Sequence, residues 1–204
     1  MKKILLIAYC FLIISCSSTR KDDLKSNVTI REVFNDQEIK DLTVILNFFE
    51  EQIASQIRNE APDKLDYFEN YLAQLTSAAK SGELILKIPY IKQEEMYNQI
   101  SDSTFKQIWT FGKYWKYQST DTLKYLVYNQ NGKYIRFLSK LGENDPIVQS
   151  YYQTFIDFGD LAPTMIANIL MRYKELNLSD VRIRLMIAIH YLTINDQFER
   201  KEKY

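Results

Sequence analysis

The sequence contains few side chains of the kinds that carry out acid–base, nucleophilic or metal chemistry. His190 is the single histidine, so motifs that bind a metal through two histidines are absent. The five glycines form neither a phosphate-binding loop nor the turn that presents a catalytic serine. Because His190 shares an apolar stripe with Ile183, Ile187 and Ile194, a hydrogen-bonded core histidine is favoured over a general base. We therefore assign no catalytic residue and expect no metal ligand and no cofactor.

Pairs of carboxylates are the remaining candidates for acid–base chemistry. The acidic pairs at 50–51 and 94–95 are adjacent on predicted helices, where neighbouring side chains point about 100° apart and do not converge. Asp157 and Asp160 flank a predicted break between two helices, an arrangement that a carboxylate-dependent hydrolase could use if both faced one cleft. A capping role for Asp160 at the start of the next helix is the simpler interpretation.

Residues 105–117 are dense in aromatic rings, which bind ligands by stacking rather than by catalysis. Ile108, Phe111 and Trp115 keep helical spacing, which predicts that they face the core. Trp109 and Tyr114 fall off that stripe and are expected to be exposed. Exposed Trp and Tyr rings stack on sugars or anchor protein partners. The candidate ligand-binding residues of this segment are Trp109, Tyr114, Trp115 and Tyr117.

Two arginines near the C-terminus could bind an anion. Arg182 and Arg184 precede the apolar centre of the last predicted helix, and paired guanidinium groups can hold a carboxylate or phosphate. Pairing with nearby acids such as Asp180 and Glu175 is the simpler interpretation.

The N-terminus offers chemistry of a different kind, at a cysteine. Two lysines precede an apolar run at 4–14, which is too short to span a bilayer because a spanning helix needs about twenty residues. The run ends in Ile13-Ile14-Ser15-Cys16, which resembles the lipobox of bacterial lipoprotein precursors. The resemblance implies that the Cys16 thiol takes a diacylglycerol, that residues 1–15 are removed and that the new amino group is acylated. Cys10 fits less well, because the bulky Tyr9 precedes it.

This resemblance sets the expected organisation of the chain. It implies a signal peptide at 1–15 and a lipidated tether at 16–27, followed by one helical domain at 28–204, with a sub-boundary left open near 118–122. Stable anchoring needs more than one acyl chain, which triacylation supplies. The implied location is the cell envelope, with the protein held by its N-terminal lipid. No Asp follows Cys16 directly, which favours the outer membrane; periplasmic and surface orientations both stay open.

Composition supports a globular, helical domain. The formal net charge is zero, so the chain lacks the basic surface expected of a nucleic-acid-binding protein. Both cysteines lie at or before residue 16, which excludes disulfides and thiol catalysis from the domain. Glycine is scarce, whereas all-β sandwiches need frequent turn glycines. We predict an all-α fold, a helical bundle or short α-solenoid of about six to eight helices, with one small β-hairpin left open.

Hydrophobic periodicity places the individual helices. The predicted helices cover 36–58, 62–79, 91–100, 146–158, 160–173 and 180–194. Residues 84–88 fit a short strand or a buried connector. Residues 123–138 fit either a β-hairpin with an Asn-Gly turn or a strand followed by a helix, and we favour the helix for the second arm.

Three functions remain open on this basis. The first is a membrane-anchored envelope lipoprotein that acts as a protein-binding or structural component. The second is a glycan-binding accessory lipoprotein that uses exposed aromatic residues, and the third is the carboxylate-dependent hydrolase. The small number of potentially catalytic side chains favours the first function, a lipoprotein that binds a partner protein in the cell envelope.

Overall fold

The computed structural model describes residues 23–57, 64–82, 86–115 and 121–203. This part of the chain is predominantly α-helical, with a single two-stranded antiparallel hairpin among its described residues, which confirms the all-α prediction. Its nine α-helices exceed the predicted number. They are α1 (Val28–Val33), α2 (Asp36–Ile57), α3 (Lys64–Lys80), α4 (Tyr90–Tyr97), α5 (Asp102–Ile108), α6 (Lys133–Gly142), α7 (Pro146–Phe158), α8 (Pro163–Arg172) and α9 (Val181–Glu199).

The first long helices, α2 and α3, pack against each other. Asn35 caps α2 by accepting hydrogen bonds from the backbone N–H groups of Gln37 and Glu38, and Glu38 accepts one from the Asn35 N–H in return. This reciprocal pair satisfies amides that the helix itself leaves unpaired. The ring of Phe49 on α2 lies 5.7 Å from the ring of Phe68 on α3.

The hairpin consists of β1 (Trp109–Trp115) and β2 (Thr122–Tyr128), with Trp109 opposite Tyr128 and Trp115 opposite Thr122. The helical spacing of residues 108, 111 and 115 therefore does not correspond to a helix beyond Ile108. The spacing is misleading because the backbone becomes extended at Trp109 and pairs with a strand later in the chain. Residues 86–89 form no strand, and residues 83–85 lie outside the described ranges.

The alternatives at 123–138 resolve as a strand followed by a helix. The first arm is β2, whose partner is β1, and the second arm is α6, as we favoured. The Asn-Gly turn between them leads into a helix rather than into a second hairpin strand.

The last three helices follow their sequence signals, with two exceptions. Asp145 caps α7, and Gly159, with a φ of 75°, ends it in the left-handed conformation that glycine adopts without strain. Asp160 does not cap α8, because the capping position is occupied by Ala162 and the Asp160 carboxylate accepts from the adjacent Leu161 N–H. The sequence predicts that Ser179 begins α9 with Asp180 in its first turn, but Asp180 itself is the capping residue and accepts a hydrogen bond from the Arg182 N–H.

Helix α9 is the centre of the fold. Every residue from Ile183 to Asp196 is buried, which explains why its sequence carries two apolar stripes. The helix continues past residue 194, and the chain after it is held rather than frayed. The Lys124 N–H donates to the Glu202 carbonyl at 2.9 Å, and Leu123 forms an antiparallel bridge with Lys203. Within the described ranges, no helix combines the length and apolar character needed to cross a bilayer.

Candidate functional site

A groove of about 660 Å³ lies between α4, α5 and β1. We call it the aromatic groove. Its wall contains the rings of Tyr97, Phe105, Trp109 and Phe111, its outer edge carries Ile91, and Arg200 closes one end. A volume in the range of roughly 300–1,000 Å³ is typical of ligand sites.

The rings of the aromatic groove form one continuous cluster. The ring of Phe105 lies 5.4 Å from that of Tyr97, 5.3 Å from that of Trp109 and 5.8 Å from that of Phe111. These separations are in the range in which aromatic pairs attract each other. The Trp109 side chain is fully buried, so it forms the back of the cluster, and the half-buried rings of Phe105 and Phe111 lie in front of it.

Helix α5 is fixed against α2 by a buried carboxylate. Asp41 accepts hydrogen bonds from the Ser101 N–H and hydroxyl at 3.1 and 2.7 Å and from the Thr104 hydroxyl at 2.6 Å. Burial alone would raise the pKa of Asp41, but the hydrogen bonds from Thr104, Ser101 and Gln37 outweigh it and lower the pKa. The start of α5, and with it Phe105, is therefore positioned by an ionised group that α2 supplies.

Helix α4 is fixed against α9 by two buried amides. The Gln93 amide donates to the Leu192 carbonyl at 2.7 Å, and the Asn195 amide donates to Gln93 Oε1 at 2.9 Å. Asn195 also donates to the Ile88 carbonyl at 3.1 Å, which holds the segment that enters α4. The two walls of the aromatic groove are thus each attached to the body of the protein by buried polar contacts.

Arg200 closes the end of the aromatic groove. Its guanidinium donates to both carboxylate oxygens of Asp196 at 2.8 Å and to Glu202 at 2.7 Å. Its centre lies 4.8 Å from the Phe111 ring and 5.7 Å from the Tyr90 ring. Burial lowers the pKa of Arg200, but the hydrogen bond and charge of Asp196 outweigh that effect and raise the pKa. Arg200 is therefore protonated, its positive charge is balanced by the carboxylate of Asp196, and its side chain forms part of the wall of the aromatic groove.

The outer edge of the aromatic groove is acidic. Glu94 and Glu95 on α4 and Asp102 at the start of α5 line it, and Glu95 and Asp102 are exposed. Lys106 is the one lysine among the lining residues. With Arg200 neutralised by Asp196, the lining has an excess of negative charge.

The four candidate ligand-binding residues do not form one exposed site. Trp109 is fully buried and donates to the Thr193 hydroxyl at 2.8 Å, so the prediction that it is exposed is wrong. Trp115, expected in the core, is 73% exposed, because it lies at the far end of β1, away from the helices. Tyr114 is 40% exposed, as predicted, and its ring contacts Tyr125. Tyr117 lies outside the described residues.

His190 is a core residue, as its apolar stripe predicted. It is fully buried, and its Nδ1 lies 3.0 Å from the Tyr151 hydroxyl. Burial lowers the pKa of His190 to about 3, so the imidazole is neutral at physiological pH. A neutral ring without solvent contact cannot exchange protons with a substrate.

The other candidate charges have partners of their own. Asp157 accepts from the Gln153 amide at 2.9 Å, and burial raises the pKa of Asp160. Arg182 pairs with Asp180 at 2.5 Å, and Arg184 pairs across the fold with Glu50 at 3.3 Å. The predicted pairing with Asp180 is therefore found for Arg182, whereas Glu175 pairs with Arg172.

The described residues contain no cluster of three or more His, Cys, Asp or Glu side chains suited to a metal ion. Cys16 lies outside the described residues. Comparison with known protein families, with curated proteins and with solved structures finds no match to this chain.

The sequence did not reveal most of the aromatic groove. Tyr97, Glu94, Asp102 and Arg200 come from separate segments, and no spacing links them. Only the density of aromatic rings at 105–117 indicated this region. The candidate residue it shares with the lining of the aromatic groove is Trp109, whose ring is buried.

Proposed function

We propose that the protein is a membrane-tethered lipoprotein of the cell envelope that binds a partner protein through the aromatic groove and has no catalytic role of its own. The sequence supports the tether through the lipobox-like motif ending at Cys16. The geometry supports the binding role through one observation: the aromatic groove and the first described residues lie at opposite ends of α9.

The first described residues lie beside the first turn of α9. Thr29 accepts a 3.0 Å hydrogen bond from Arg182, and Asp23 lines a second groove, of about 640 Å³, together with Asn177 and Asp180. The aromatic groove lies beside the last turn of α9, where Arg200 closes it. Helix α9 has 19 residues and is therefore about 28 Å long.

The proposed lipidation site is close in sequence to the Asp23 end of α9. Cys16 precedes Asp23 by seven residues, and seven residues span at most about 25 Å in any conformation. Because this is less than the length of α9, a lipid on Cys16 would hold the Asp23 end of the protein nearer to the bilayer than the aromatic groove. The aromatic groove would then be available to a partner protein.

The chemistry of the described residues supports binding over catalysis. His190 is buried and neutral, and Asp157 and Asp160 each bond to a neighbour rather than to a shared site. The aromatic groove offers apolar area and fixed charge, and aromatic side chains dominate the energetics of protein interfaces.

A glycan ligand is the second candidate, and it rests on a different observation. Trp115 is 73% exposed and Tyr114 40% exposed at the far end of β1. Exposed rings of this kind stack on sugar rings. Cosedimentation of the protein with an insoluble glycan such as chitin tests it. Binding that Trp115→Ala abolishes would favour this function, and equal binding by both forms would reject a role for Trp115.

The tether is tested by metabolic labelling with palmitate in a bacterium that processes lipoproteins. We expect label in the native protein and in the Cys10→Ala variant, and none in Cys16→Ala. Label that persists in Cys16→Ala would contradict the assignment of the anchor.

The binding role is tested by two matched substitutions of exposed apolar residues. Ile91, at the edge of the aromatic groove, is 64% exposed, and Met171, on α8, is 81% exposed. We expect Ile91→Arg to abolish copurification of an envelope protein from detergent-solubilised membranes and Met171→Arg to leave it intact. Equal copurification with both variants would reject the aromatic groove as the binding surface.

A further inference from the structure

We propose that the occupant of the aromatic groove is a cationic, partly apolar segment of the partner protein, with lysine or arginine side chains next to an apolar anchor. This inference rests on the proposed function and specifies the partner's chemistry.

The first step is the charge of the edge. Glu94, Glu95 and Asp102 supply three carboxylates to the lining, and Lys106 supplies one ammonium group. The remaining cation, Arg200, is 8% exposed and its charge is neutralised by the fully buried Asp196. A ligand thus meets an excess of negative charge, which attracts a cationic segment and repels an acidic one.

The second step is the apolar wall. The half-buried rings of Tyr97, Phe105 and Phe111 give the aromatic groove a surface suited to an apolar side chain. The faces of aromatic rings also attract cations, and the groove already contains one example, the Arg200 guanidinium 4.8 Å from the Phe111 ring. Apolar and cationic groups of the same ligand therefore both find complementary surface.

The third step excludes other classes of occupant. A neutral glycan could donate hydroxyl hydrogen bonds to the three carboxylates but would gain no net Coulomb attraction from them, and an anionic phospholipid surface would be repelled by them. The volume of about 660 Å³ accommodates a segment of a few residues. A short peptide stretch with mixed cationic and apolar side chains fits both the size and the charge.

The experiment uses two synthetic peptides of equal length that carry a fluorescent label. One alternates lysine with leucine, and the other alternates glutamate with leucine. Fluorescence anisotropy measures the binding of each to the full-length protein in a nonionic detergent. We expect the lysine peptide to bind at least tenfold more tightly than the glutamate peptide, with an affinity that falls as salt rises.

Matched variants identify the carboxylates responsible. The triple variant Glu94→Gln, Glu95→Gln, Asp102→Asn should weaken binding of the lysine peptide about tenfold, the sum expected of three ion pairs at or near the surface. A control variant removes three exposed carboxylates that do not line the aromatic groove: Glu51→Gln, Glu69→Gln, Glu143→Gln. It should bind as the native protein does.

Three results would overturn the inference: equal binding of the two peptides, equal weakening in both triple variants, or no binding of either peptide. The Ile91→Arg and Met171→Arg comparison separates these failures from a failure of the proposed function. Suppose that copurification is lost with Ile91→Arg and kept with Met171→Arg, while the lysine peptide does not bind. The aromatic groove is then a binding surface, and its occupant is not cationic.

Discussion

The indole N–H of Trp109 donates a 2.8 Å hydrogen bond to the hydroxyl of Thr193, and both side chains are fully buried. The contact joins the first residue of β1 to α9, across 84 residues of sequence. It therefore fixes the hairpin, and with it one wall of the aromatic groove, to the central helix.

Replacing Thr193 with valine should destabilise the protein by about 1–3 kcal/mol, because the nearly isosteric side chain leaves a buried indole N–H without an acceptor. Urea unfolding followed by circular dichroism measures the change. The control is Thr43→Val, whose hydroxyl donates only to the Ile39 carbonyl on its own helix. Equal losses in the two variants would show that the Trp109 contact contributes nothing specific.

His190 should make the stability of the protein depend on pH. Because burial lowers its pKa to about 3 while the unfolded histidine titrates near 6.5, the unfolded state binds one more proton between these values. The free energy of unfolding should therefore fall as pH drops through this window, by on the order of 1 kcal/mol per pH unit.

Urea unfolding between about pH 7 and pH 4 tests this expectation against the variant His190→Gln. The variant keeps a side chain that can bond to Tyr151 but binds no proton, so its stability should vary less with pH. Identical pH dependence in the two proteins would mean that His190 is protonated in the folded state.

Two glycines near the hairpin should differ in their tolerance of a methyl group. A Cβ at Gly132 would lie 2.3 Å from the backbone carbonyl oxygen of Gln107, whereas a Cβ at Gly112 would lie 2.4 Å from the side-chain ring of Tyr125. The half-exposed Tyr125 ring can rotate away, but the Gln107 backbone is held at the end of α5.

We therefore expect Gly132→Ala to cost about 1–3 kcal/mol of stability and Gly112→Ala to cost less. Thermal unfolding of the two variants gives the comparison. Combining Gly112→Ala with Tyr125→Ala should restore part of the loss, and the absence of any coupling would rule out the ring contact as its cause.

The two tryptophans should respond differently to a quencher in solution. Trp115 is 73% exposed and Trp109 is fully buried. Iodide should therefore quench part of the fluorescence of the native protein and almost none of that of Trp115→Phe. Strong quenching that survives in Trp115→Phe would place Trp109 at the surface and contradict the arrangement of β1.

The sequence predicted elements whose signals are local. Asp145 and Gly159 mark the ends of α7 by the preference of each residue type for its capping position. Helix α9 was recognisable because it is apolar on most sides, as a central helix must be. Asp160 shows the limit of such signals, since a good capping residue two positions too early does not cap the helix.

The aromatic segment could not be assigned locally. Ile108 ends a helix and Trp109 begins a strand, so a helical stripe drawn through residues 108, 111 and 115 joins two kinds of structure. The strand forms because β2 pairs with it and because Thr193 offers the buried indole an acceptor. Both partners are later in the chain, and no spacing within 105–117 reveals them.

The aromatic groove was beyond sequence reasoning for the same reason. Its walls depend on Asp41 holding α5 and on Gln93 holding α4, each through contacts between helices that are distant in sequence. The candidate residues taken from the sequence lie in the segment that forms β1. The sequence predicted an exposed Trp109 and a buried Trp115, whereas Trp109 is buried and Trp115 is exposed.

Photocrosslinking in intact cells of the source organism tests the proposed binding role of the aromatic groove most directly. A benzophenone amino acid placed at Ile91 reports contacts at the edge of the aromatic groove, and the same group at Met171 reports contacts on α8, which does not line it. We predict a discrete crosslinked protein from position 91, lost when the three edge carboxylates are neutralised, and none from position 171. Crosslinks from position 171 alone, or from neither position, would contradict the account.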